Sequence, residues 1–119
     1  MVSLADKPGD IAEITVDSVS SLSHDELETL YTDMSLTLAN AKQYRDALAK
    51  MLRGIDRELT NADNAKTEQL KEVYRNRAEA RDNIEKIYVN TIKIIELAQN
   101  NLDIITKTMC KLNCQSQHN

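Results

Sequence analysis

Between residues 27 and 59 a seam residue returns at steps of four and three: Leu27, Tyr31, Met34, Leu38, Ala41, Arg45, Leu48, Leu52, Ile55 and Leu59. Only Arg45 in that series is polar. A 4-3 spacing held for more than four heptads keeps one narrow stripe facing a partner helix, which is the seam of a coiled coil. Just ahead of it, Ser23 and Glu26 form the S/T-x-x-E pattern of a capping box, so a first helix is expected from about Ser23 to about Thr60. Thr60-Asn61-Ala62-Asp63-Asn64 then collects side chains that compete for backbone hydrogen bonds, and it is where the chain is expected to reverse. A second run, from about Ala65 to about Leu112, carries Leu70, Val73, Tyr74, Ile84, Ile87, Tyr88, Ile94, Ile95, Ala98, Leu102, Ile105 and Met109 along one broad face. Arg77 and Arg81 interrupt that face and could answer acidic residues of the first helix such as Asp46 or Asp56.

The rest of the composition agrees with helices and with little else. Two glycines and one proline in 119 residues leave almost no turn chemistry for a sandwich, a barrel or a Rossmann-type fold. The expected class is all-α: a long antiparallel helical hairpin of coiled-coil type, with a short N-terminal segment, dimeric or part of a helical bundle. Residues 1–9, which end on Pro8-Gly9, read as a flexible lead, 10–112 as the helical interaction domain, and 113–119 as a disordered polar tail. Within the N-terminal segment, Asp10 with Glu13 approximates a capping box for a short helix through Leu22. The stretch Ile14-Thr15-Val16 is equally compatible with extended chain, because β-branched residues lose side-chain freedom in a helix.

Fifteen Lys and Arg stand against nineteen Asp and Glu, a net charge of −4 with the signs interspersed. Direct nucleic-acid binding needs a concentrated basic face, so none is expected. No apolar run approaches the ~18 residues of a membrane span, and the N-terminus lacks the apolar core of a signal peptide. The expected setting is intracellular, with no membrane partner. Cys110 and Cys114 sit together near the C-terminus, where they cannot staple the fold, and reduced thiols are the expectation. With His118 they offer three metal ligands, one short of a structural zinc site, so no metal is expected. A metal-dependent regulator built on this tail is the competing reading from another functional class.

No phosphate loop, nucleophile elbow or paired-histidine motif occurs, and the carboxylates fall where exposed helix faces are expected. His24 lies inside the first capping box, where polar residues are ordinary. Neither catalytic residues nor a cofactor is expected. Arg45 reads as a residue whose stem lines the seam while its head reaches water. Gly54 marks either a close helix approach or a bend.

A hairpin needs one apolar stripe per helix, and the second helix has more than that: Val89, Ile92, Leu97 and Ile104 lie off its main seam. Each Leu- or Ile-sized side chain gains about 1.5–3 kcal/mol on burial, so a cover is expected. The N-terminal segment, a second copy or another protein could supply it. The resulting expectation is that Leu27, Tyr31, Met34, Leu38, Leu48, Leu52, Ile55 and Leu59 are buried by the chain's own second helix. Val89, Ile92, Leu97 and Ile104 would then serve a partner, either a second copy or another helical subunit.

The stretch Asp17-Ser18-Val19-Ser20-Ser21-Leu22-Ser23-His24-Asp25-Glu26-Leu27 resembles the opening of the N-terminal domain of inhibitor-of-growth proteins, which reads Asp-Ser-Ile, two residues, Leu-Pro, then Glu-Leu. Tyr74, Glu79, Asp82, Thr91, Leu102 and Asp103 are similar in order and spacing to that family's second long helix, and the resemblance spans Asp17 to Met109. Ser23 stands where the family has proline, and one extra residue precedes Glu26-Leu27. The family's histone-reading zinc finger has no counterpart in the sequence. The resemblance implies a helical dimerisation and scaffold-docking module of a histone acetyltransferase or deacetylase complex, located in the nucleus. A coiled-coil subunit of another assembly, of tether or kinetochore type, is the alternative.

Overall fold

A computed structural model describes the chain over residues 8–117, with side chains described as far as Asn113. The elements are α1 (Val16–Val19), α2 (His24–Leu59), a 3₁₀ turn (Ala62–Asn64) and α3 (Glu68–Gln117), and no strand occurs among the described residues. The fold is all-α and strongly elongated, 79 × 23 × 20 Å.

The start of α2 is where the capping box places it. The Ser23 hydroxyl accepts from the Glu26 N–H at 3.2 Å, while the Glu26 carboxylate accepts from the Ser23 N–H at 3.3 Å, so two otherwise orphaned donors are satisfied. Its end is also local. Thr60 N–H still donates to Asp56, the Thr60 hydroxyl donates to the Arg57 carbonyl, and Asn61 N–H donates to Glu58. The 3₁₀ turn follows, and the Thr67 hydroxyl accepts from the Leu70 N–H at 3.1 Å to open α3. No described residue in the reversal has positive φ, so tightened right-handed turns and extended links replace the glycine that such a corner often uses. The reversal thus begins at Thr60 as expected and runs on to Thr67, because Thr67 rather than Ala65 supplies the cap.

Pairs across the hairpin run in opposite directions along the two helices. Glu58 meets Arg77, Asp56 meets Arg81, and the Met34 sulfur meets Asn101. That ordering is an antiparallel hairpin, as the two periodic runs require.

The N-terminal segment departs from the Asp10-capped helix. Residues 8–15 have no regular secondary structure, and α1 is a single turn whose cap is Thr15, not Asp10. Two causes are visible. The β-branched run Ile14-Thr15-Val16 disfavours helix, and the Ala12 carbonyl and Ile14 N–H, which a helix begun at Asp10 would use internally, are both bonded to Asn101 instead. The non-helical alternative holds for Ile14 and Thr15 but not for Val16, which opens α1, and residues 8–15 form a strap that lies on α3 and leads into α1.

Buried residues cluster at the strapped end. One group joins Val19, Leu27, Met34, Ala98 and Ile105, with Ile11, Ile14, Leu22, Leu30 and Leu38 packed against it, and a second joins Ala41, Ile94 and Ile95. No residue between 49 and 90 is buried. Two helices alone can cover only one side of each other, and at both groups the strap residues Ile11 and Ile14 add to the cover. Of the expected lead, residues 1–7 lie outside the described residues. In the expected tail the backbone is helical through Gln117, and residues 118–119 lie outside the described residues.

Candidate interaction surface

On α2 the expected seam is realised unevenly. Leu27, Met34 and Leu48 are buried, whereas Leu38, Leu52, Ile55 and Leu59 are half-buried. Tyr31 is the departure, at 43% exposure, while Tyr44, which the 4-3 series passed over for Arg45, is 1% exposed. At ~100° per residue, Leu30 and Tyr44 lie on one flank of the stripe, with Tyr31 and Arg45 on the other. Leu30 packs against the cluster that contains Val19, so near the start of α2 it is this flank that meets α1's cluster. Arg45 behaves as expected: its side chain is 31% exposed and its Nε donates to Asp46 at 3.1 Å, which leaves Asp46 turned toward its own neighbour rather than toward α3.

The four residues expected to face a partner do not form one surface. Leu97 and Ile104 are seven positions apart and share a flank, but Ile92 lies ~140° around the helix from Leu97, close to Val89. Val89 is 48% exposed, while Ile92 and Leu97 are half-buried. Ile104 is half-buried and packs against the cluster of Val19, Leu27 and Ile105, so part of the cover it required is internal. Val19 of α1 belongs to that cluster, and Val16 with Ile104 borders an open hollow beside Lys107 and Cys110. Further apolar surface lies toward the reversal, where Met51, Leu70 and Val73 are exposed.

Sequence periodicity also missed two buried polar residues. Thr91 is fully buried, with its hydroxyl donating to the Ile87 carbonyl at 2.8 Å. Asn101, also fully buried, donates to the Ala12 carbonyl and accepts from the Ile14 N–H, both at 2.9 Å. One signal for Asn101 was available, since it stands seven residues after Ile94 inside the run Ala98, Leu102, Ile105, the register of a core position.

Arg81 and Arg77 bind acidic groups of α2, and of the two candidate acids Asp56 is the one used. Arg81 donates to Asp56 at 2.6 Å and to Glu85 at 2.7 Å, and Arg77 contacts Glu58 at 3.1 Å. A guanidinium is charged at every ordinary pH, and the hydrogen bond to Asp56, seconded by Glu85, raises the Arg81 pKa further. These pairs fix the register of the two helices near the reversal.

At the start of α2, His24, Asp25 and Glu28 bring possible ligand atoms within 4.8 Å of one another, with His24 Nδ1 at 3.6 Å from Glu28. Acidic residues at a helix N-terminus are favoured by its dipole without any metal. Cys110 is exposed, and the side chains of Cys114 and His118 lie outside the described residues. Gly54 has no atom within 4 Å of where a Cβ would stand, so it marks no close helix approach. No described helix is long and apolar enough to cross a membrane. No family model, curated protein or solved structure matches the chain.

Proposed function

We propose that the chain is a non-enzymatic coiled-coil interaction subunit whose reversal-side half receives other helical subunits. One observation carries this reading: residues 49–90 contain no buried residue, although Met51, Leu70, Val73 and Val89 keep large apolar side chains in water there. A hairpin segment apolar on more than one side gains by being covered on more than one side. The resemblance to the inhibitor-of-growth N-terminal domain supports a chromatin setting, namely a histone acetyltransferase or deacetylase complex in the nucleus. The test is parallel affinity capture from nuclear extract with the wild-type chain and a Leu70→Glu/Val73→Glu chain. The reading expects subunits of one such complex on the wild type and their loss on the variant, with unchanged helical circular dichroism. Capture of the same set by both chains overturns the surface, and capture of a different assembly overturns the chromatin setting.

A further inference from the structure

The side chain of Asn101 spends both ends of its amide on the main chain of the strap, at Ala12 and Ile14. It thereby takes the place that a neighbouring strand would occupy. A carbonyl and an N–H two residues apart are offered together on one side only by extended backbone, because a helix consumes both in its own ladder. Asn101 is 0% exposed with the strap in place, so the strap is what separates its amide from water, and within the two long helices only the Met34 sulfur, 3.9 Å from Nδ2, also meets it. The apolar walls add a second requirement. Ile11 packs against the group of Ala41, Ile94 and Ile95, and Ile14 against the group of Val19, Met34, Ala98 and Ile105. The groove therefore recognises an extended segment carrying aliphatic residues three positions apart, flanking a main-chain pair that the amide can read.

We propose that this groove is an extended-peptide site filled by the chain's own strap, and that the strap of a second copy can fill it in exchange. The occupant follows from the sequence already seated there, since every contact the groove makes is matched by the same strap on another molecule. The strap and α1 also form one local unit, joined to α2 by a short link. Thr15 and Ser18 cap α1 reciprocally without help from α2 or α3, and the Ser20–Ser23 link holds a turn bond from the Leu22 N–H to the Val19 carbonyl at 3.2 Å. Exchange opens that link and keeps the Asn101 pair and the isoleucine contacts, so chain concentration decides between the two arrangements.

Two full-length variants test this. Ile14→Pro removes the N–H that Asn101 accepts, along with the isoleucine side chain, leaving a sound groove with a poor strap. Asn101→Leu leaves a sound strap with a groove that cannot read main chain. A labelled synthetic peptide of residues 8–19 should bind the Ile14→Pro chain about tenfold or more tightly than the wild type, whose own strap competes, and should not bind the Asn101→Leu chain. Mixing the two variants should give a species that sediments faster than either alone, and excess peptide should disperse it. Failure of the peptide to prefer the Ile14→Pro chain, or equal binding by the Asn101→Leu chain, overturns the groove. A mixture that sediments like its components overturns exchange, and loss of helicity in the Ile14→Pro chain makes the strap a fixed part of the core and overturns both. Leu70 and Val73 are intact throughout, so these outcomes are independent of the reversal-side surface.

Discussion

Tyr31 and Tyr44 show how far one side chain's role depends on a small rotation about the helix axis. Both fit a helical stripe, yet one is largely in water and the other is enclosed. Removing a large enclosed ring costs about 3–5 kcal/mol through lost transfer energy and the cavity left behind. Tyr44→Ala should therefore lower stability by about that amount, whereas Tyr31→Ala should stay within about 1 kcal/mol, a contrast that urea denaturation of the two variants measures directly. Gly54 gives the opposite sign. It sits in the interior of α2 with ordinary helical backbone and open space around its Cα, so nothing offsets the entropy that glycine loses in a helix. Gly54→Ala should raise stability by about 0.5–1 kcal/mol, seen as a higher denaturation midpoint at unchanged slope. A loss of stability would mean that Gly54 supplies a bend that alanine cannot.

Among the elements, α2 was the most legible because both of its ends are written locally. Ser23 and Glu26 form their box wherever the seam begins, and the cap-forming cluster after Leu59 halts the helix without tertiary help. Ser23→Ala should cost about 1 kcal/mol, and Ser23→Gly only a few tenths, because glycine also suits the cap backbone. Equal losses from the two changes would place the contribution elsewhere than in the hydroxyl. The strap was less legible for a physical reason. Asp10 and Glu13 carry the letters of a capping box, but whether the box closes depends on Asn101, nearly ninety residues away, which claims the same backbone. The seam on α2 was read to within one flank for a related reason: i+3 and i+4 neighbours are interchangeable until a third layer selects a side. Likewise Val89, Ile92, Leu97 and Ile104 lie off the seam by spacing alone, but spacing could not show that Ile104 packs against the cluster of Val19, Leu27 and Ile105.

At the scale of the whole molecule the rod divides into two halves of unequal cohesion. The strapped end stacks α2, α3 and the N-terminal segment, and it contains every buried residue from Val19 to Leu48 and from Thr91 to Ile105. The reversal-side half is a bare pair of helices held by a half-buried stripe that includes Leu52, Ile55, Leu59, Tyr74, Ile84 and Ile87, together with the ion pairs of Arg77 and Arg81. Exposed ion pairs orient helices more than they stabilise them, and salt screens them further. Opening of the reversal therefore exposes little apolar surface that water does not already reach, whereas opening of the strapped end exposes Leu27, Tyr44 and Ile105 together. Native-state hydrogen exchange should show this as a gradient, with helical amides of residues 50–90 exchanging through local opening well before those of residues 91–105. Raised salt should widen the gap by weakening Arg81 with Asp56 and Arg77 with Glu58, and a bound helical partner should close it by covering Met51, Leu70 and Val73. Uniform protection along the isolated rod would sink this division, because it would mean that the two helices open only as one unit and that the reversal-side half needs no further cover to hold its structure.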